Sequence, residues 1–96
     1  MKPGIVWAPS ARADLAHIDD HYSQLDLEFA NRAARNAVAA ARFLQQNPLA
    51  GPKIDGTRYR KWHVAESPFL LIYRPERGAV HIVRVRHVRE DWQTLL

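Results

Sequence analysis

From Gly56 to Asp91 the chain alternates short apolar runs with arginines, and this stretch constrains the fold more than any other. Its centre, Phe69-Leu70-Leu71-Ile72-Tyr73-Arg74, is nearly all apolar, as suits a strand in the middle of a sheet. Turn signals bracket it. Ala65-Glu66-Ser67-Pro68 precedes it, and Pro75-Glu76-Arg77-Gly78 follows with Pro and Gly where a type I turn with a left-handed exit wants them. The flanking segments, Arg58 to Val64 and Ala79 to about Val88, read as two further strands.

The first half is helical behind a short opening strand, Ile5-Val6-Trp7-Ala8, which Pro9 ends. Ser10 is the expected N-cap of a first helix, because Leu15, Ile18, Tyr22 and Leu25 then recur at helical spacing. That stripe faces a core and leaves Arg12, Asp19 and Asp20 in water. The Asp26 region is the next cap, and a longer helix runs from about Leu27 to Gln46 with Phe29, Ala33, Ala37, Ala40 and Leu44 on one side. Its many alanines raise helix propensity and let a neighbouring helix come close. Few residues separate the two helices, so they are expected to form an antiparallel hairpin. Pro48 and Gly51-Pro52 stop the second helix and open a loop to Gly56. The predicted order is β-α-α-β-β-β. This is an α+β fold, one domain over residues 1–96, with a helix hairpin on one face of a mostly antiparallel sheet.

Charge is uneven along the chain. Residues 1–47 hold five basic and five acidic side chains, and residues 48–96 hold nine basic against five acidic, so the whole formal +4 lies in the strand-rich half. Such asymmetry favours an acidic partner, nucleic acid or an acidic protein segment. There are no cysteines, hence no disulfide, thiolate metal site or cysteine nucleophile. The N-terminus lacks the apolar core of a signal peptide and no apolar run reaches membrane-spanning length, so a soluble cytoplasmic protein is expected.

Strict alternation along the last strand places Val83 and Val85 on one face and Val80, Ile82, Arg84 and Arg86 on the other. Arg58, Arg60, Trp62 and Val64 share a face of their own strand. With Val83 and Val85 under the helices, the opposite face becomes an apolar floor (Ile82, with Trp62) rimmed by arginines. Such a floor is unusual for a free monomer and suited to a partner. Arginine fits this surface because its planar fork pairs with carboxylate or phosphate in bidentate fashion. Elsewhere, His17 and His21 stand four apart on the first helix near Asp14, a spacing that can bind metal, but no fourth ligand is evident and a solvated helix face is expected. No glycine-rich phosphate loop is present, and Ser10 and Ser67 read as cap and turn residues. Neither a metal nor a cofactor is expected.

In order along the chain, Trp7…Ala11-x-x-Asp14-Leu15-x-x-Ile18…Tyr22, Pro48-x-x-Gly51, Gly56-x-Arg58, Leu71-Ile72-Tyr73-Arg74 and Ile82-x-Arg84-Val85-x-His87-x-x-x-Asp91 resemble the RelE/ParE superfamily of bacterial type II toxins. The resemblance covers nearly the whole chain and is closest to the ParE branch, often called plasmid stabilisation proteins. It implies the same β-α-α-β-β-β fold and a toxin neutralised by a small acidic, ParD-like antitoxin. That antitoxin wraps the helix hairpin and sheet, and through it alone the complex reaches operator DNA. ParE-like members inhibit DNA gyrase by binding it, and RelE-like members cut messenger RNA on the ribosome without metal.

The ending His87-Val88-Arg89-Glu90-Asp91 is similar to the His-x-x-x-Asp ending of ParE-like chains, and Val88 stands where nuclease members commonly carry a tyrosine. The resemblance therefore implies a gyrase inhibitor whose antitoxin- or target-binding residues are Arg58, Arg60, Trp62, Arg74, Ile82, Arg84 and Arg86. The alternatives are a metal-independent mRNA endonuclease using His87 with Arg58, Arg84 and Arg86, or a non-toxic antitoxin-binding remnant. Trp92, Leu95 and Leu96 are expected to fold back over a sheet edge, the functional alternative being a contact with gyrase or a second toxin copy.

Overall fold

A computed structural model of the chain describes residues 4–91; the expectation for Trp92 to Leu96 lies outside them. Four strands and two helices follow in the predicted order: β1 (Gly4–Trp7), α1 (Pro9–Ser23), α2 (Leu27–Gln46), β2 (Arg60–His63), β3 (Phe69–Glu76) and β4 (Ala79–His87). The sheet order is β1-β4-β3-β2, with β1 parallel to β4 and the other pairs antiparallel. No helix among the described residues is long and apolar enough to cross a membrane.

Local chemistry sets the helix ends, and at α1 it differs from expectation. The helix begins at Pro9, not after a Ser10 cap. Ala8 is the extended N-cap residue without a side-chain bond, and Pro9 occupies the first turn, where its fixed φ is pre-set and its missing N–H costs nothing. Ser10 is thereby released, and its hydroxyl donates to the Val83 carbonyl, 2.6 Å away. At α2 the expectation holds: Asp26 is extended and its carboxylate accepts from the Phe29 N–H at 3.0 Å. Ala30, Ala33, Ala37, Ala40, Ala41 and Leu44 form the buried stripe of α2.

A bulge in β4 decides which side chains face the helices. Pairing with β3 steps from Ile72–Arg84 to Tyr73–Ile82 and leaves Val83 as an extra residue. Alternation restarts there. Val80, Ile82 and Val85 therefore all join the core under the helices, together with Leu71, Tyr73 and Val64, while Trp7, Leu15 and Trp62 pack at its margin. Val83 is turned to the other face. The strict alternation expected for β4 fails at this one residue, and with it the expected placement of Ile82 and Trp62 on an open floor.

That second face is not bare. Residues 52–54 pair back on 59–61, with Lys61 N–H donating to Pro52 and Ile54 N–H donating to Tyr59. This hairpin lays Ile54 over Leu70 and Ile72, with Tyr59 and Val83 beside them, as a second small core. A buried tyrosine anchors its base. The Tyr73 hydroxyl donates to the Pro48 carbonyl and accepts from the Gly51 N–H, both at 2.9 Å. A Cβ at Gly51 would collide with the Lys61 carbonyl and sit 2.8 Å from that hydroxyl, so only glycine fits there. The β3–β4 turn also differs from the expected type I: Arg77 (φ 46°) and Gly78 (φ 78°) are both left-handed, as a two-residue hairpin matching strand twist requires.

Candidate functional site

β1 ends at Trp7, so among the described residues β4 beyond Ile82 has no strand on its outer side. A bare edge of this kind must find other partners for its backbone groups, and side chains supply them. Ser10 bonds the Val83 carbonyl, Asp14 Oδ2 accepts from the Val85 N–H at 2.9 Å, and Glu90 Oε1 accepts from the His87 N–H at 2.7 Å. The chain thus runs α1 along the strand it leaves unpaired.

The same carboxylates hold the arginines. Arg84 grips Asp14 in bidentate fashion, Nε to Oδ2 at 2.8 Å and the guanidinium NH2 to Oδ1 at 3.0 Å. Arg86 bonds Glu90 at 2.8 Å, with Asp14 Oδ1 4.0 Å away. The Asp14 hydrogen bond raises the Arg84 pKa above its ordinary value, against the opposing effect of burial. Two arginines expected to be open for a ligand are already neutralised within the chain.

The other expected site residues disperse. Ile82 is fully buried beneath the helices and offers nothing to a partner. Trp62 lies on the helix side, stacked on Phe43 of α2 with ring centres 5.0 Å apart. Arg60 donates to the carbonyls of Gly51 (2.8 Å) and Leu49 (3.3 Å) and serves the loop after α2. Arg74 pairs with Glu76, and its buried Nε has no hydrogen-bond partner among the described residues. Arg58 is exposed on the added hairpin, over the Tyr59 ring. His87 pairs with Phe69 across the strands and meets its ring edge-on, which puts it on the helix side. Arg84 and Arg86, opposite Ile72 and Leu70, belong to the other face. Arg86 nevertheless reaches the cleft beside α1 that His87 also lines, while Arg84 is held by Asp14.

Three residues central to this arrangement, Ser10, Asp14 and Glu90, were not singled out as site residues from sequence. Asp14 stood in the motif, but its partner is 70 positions away, and nothing local marks it as an arginine holder. Two of the depressions beside α1 bear on binding. One is an apolar groove of about 300 Å³ between the helices, lined by Leu15, Ala16, Ala34 and Val38 among others. The other is a mixed cleft of about 450 Å³ between α1 and the end of β4, which His17 and His21 line. No group of three or more His, Cys, Asp or Glu side chains among the described residues is placed to hold a metal ion.

The family model described as "ParE toxin of type II toxin-antitoxin system, parDE" matches residues 5–92. The chain is 35% identical over 83 residues to Toxin RelE2 of Caulobacter vibrioides, an alignment covering 86% of this chain and 92% of that protein. Its fold is similar to that of a chain from the chromosomal ParDE toxin-antitoxin system of P. aeruginosa, with a TM-score of 0.77 and 30% identity over 91% of this chain and 96% of the other.

Proposed function

The chain belongs to the ParE toxin family of type II toxin-antitoxin systems, and from that premise we propose that it is a cytoplasmic toxin that inhibits DNA gyrase by binding it, held inactive by a ParD-like antitoxin. One observation carries the choice of a binding mechanism over a nucleolytic one. RNA cleavage at a 2′-hydroxyl needs a base, an acid and unpaired cations converging on one phosphate. Here Arg84 and Arg86 already have Asp14 and Glu90 as partners, Arg58 stands on a separate hairpin, and of these arginines only Arg86 lines the cleft that His87 lines.

The antitoxin reading is supported by the apolar inter-helix groove, which suits an amphipathic segment, and by the basic excess of the strand half. The likeness to a chain of a ParDE system points the same way. A second reading, a ribosome-dependent mRNA endonuclease, draws its support from the relative that carries the RelE name.

Pulse labelling separates the two. On induction without antitoxin, thymidine incorporation is expected to stop before leucine incorporation falls. A fall in leucine incorporation first, with cut messages, would replace the gyrase reading by the ribosomal one. Harmless induction of folded protein would leave only the antitoxin-binding remnant.

A further inference from the structure

The corner between the two helices departs from its sequence pattern. Leu25 continues the apolar stripe of Leu15, Ile18 and Tyr22, and a longer α1 would carry it toward the core. Instead α1 ends at Ser23, and the Leu25 and Asp26 N–H groups both donate to the Tyr22 carbonyl, at 3.0 and 2.7 Å. Leu25 is left 70% exposed, the highest value for a large apolar side chain among the described residues, and Leu27, the first residue of α2, is 59% exposed. A lone exposed leucine carries no message. Here two of them flank one locked residue: Asp26 caps α2 through its carboxylate, and its carbonyl accepts from the Ala30 N–H. Behind the corner Tyr22, Phe29 and Phe69 pack ring against ring, with centres 4.9 to 6.3 Å apart. The two leucines stand on a rigid mount, so docking through them costs little ordering entropy.

Charge singles out the same corner. Residues 19–31 hold Asp19, Asp20, Asp26 and Glu28 and no lysine or arginine, so all 14 basic side chains of this +4 chain lie elsewhere. The four carboxylates belong to exposed residues, and none forms an ion pair among the described residues. Apolar side chains ringed by carboxylates repel phosphate and acidic peptides alike. Nucleic acid and the acidic antitoxin are therefore poor occupants, and the groove proposed for the antitoxin is lined by neither leucine. A basic protein surface is the complementary one.

We propose that this helix corner is the surface with which the chain docks on its cellular target, a protein whose apolar pocket is rimmed by lysine or arginine. Leu25 and Leu27 enter the pocket, and Asp20 and Glu28 meet the basic rim. The inference deepens the binding reading given above and rests on it for the target being a protein. Growth arrest on induction without antitoxin assumes no particular target, whereas supercoiling inhibition reports on gyrase alone. Measured side by side, they separate a failure of the corner from a failure of the gyrase reading.

The double variant Leu25→Ser/Leu27→Ser tests the corner, and Leu49→Ser is its control. Leu49 is 67% exposed and lies beyond the far end of the 20-residue α2, about 30 Å away. The double variant is expected to melt with the parent and to keep its antitoxin affinity. It should need at least about tenfold more toxin to arrest growth, because two apolar anchors leave the interface. Asp20→Lys/Glu28→Lys should weaken arrest in the same direction, and Leu49→Ser should arrest like the parent. Full arrest by the serine or the lysine double variant, an equal loss in Leu49→Ser, antitoxin affinity lost in parallel, or a harmless parent would each overturn the proposal. If the parent arrests growth with supercoiling undisturbed, gyrase is removed as the target and the same variants still judge the corner.

Discussion

Replacing Asp14 by alanine tests how far one carboxylate organises the open edge of the sheet. Three hydrogen bonds disappear: two from Arg84, at 2.8 and 3.0 Å, and one from the Val85 N–H, at 2.9 Å. The amide is the larger loss, because α1 covers that edge and water has poor access. An unpaired backbone N–H of this kind costs about 1–3 kcal/mol. The ion pair counts for less. The Arg84 side chain keeps 29% of its exposure, so screening limits its share to about 1 kcal/mol. Asp14→Ala is therefore expected to destabilise by about 2–4 kcal/mol, roughly 8–32 °C in Tm for a domain of this size. Asp14→Asn keeps an acceptor for Val85 and is expected to lose about half as much. Urea denaturation followed by circular dichroism measures both. An alanine variant within about 0.5 kcal/mol of the parent, or an asparagine variant as damaged as the alanine one, would refute the edge-capping argument.

Tyr73→Phe strands the Gly51 N–H and the Pro48 carbonyl and is expected to cost about 1–3 kcal/mol in urea denaturation. Burial raises the Tyr73 pKa above its ordinary 10.0, so the neutral phenol contributes stability below about pH 10 that is lost as pH climbs toward the raised value. The parent should then lose stability above pH 10 faster than the phenylalanine variant, and parallel curves would contradict this. Gly51→Ala should destabilise by about 1–3 kcal/mol through overpacking, whereas Gly4→Ala, with no atom within 4 Å of the new Cβ, should stay within about 0.5 kcal/mol; thermal melts of the two compare them directly. Arg58→Glu, exposed on its hairpin, should leave stability within about 0.5 kcal/mol yet weaken the antitoxin several-fold with a shallower salt dependence. Calorimetry at two ionic strengths checks this, and unchanged affinity would remove Arg58 from the interface. Arg84→Glu cannot replace it as a reporter, because the new carboxylate would face Asp14 and act on the fold.

Where the chain advertises its structure, it does so through local chemistry. The apolar run at Phe69 marks the middle of β3, the Asp26 cap and alanine stripe bound α2 at Leu27 and Gln46, and Pro48 with Gly51 marks the loop Tyr73 secures. Hidden features are those with no local signature. The β4 bulge lies within a run of β-branched and basic residues that reads equally well in either register, and one extra residue there moved Ile82 inside and Val83 out. The Asp14–Arg84 pair depends on α1 lying along β4, which no window of sequence contains. Ile54 looked like loop, because covering Leu70 and Ile72 requires the hairpin to fold over the sheet. The arginines were legible as a cluster but not as partners of the chain's own carboxylates.

The most direct measurement of the proposed mechanism is gyrase supercoiling of relaxed plasmid by purified components, with mRNA cleavage on programmed ribosomes run on the same preparation. Supercoiling should stop as the chain is added and recover with antitoxin, while the mRNA stays intact. Undisturbed supercoiling beside codon-phased cuts would contradict a toxin that acts by binding gyrase.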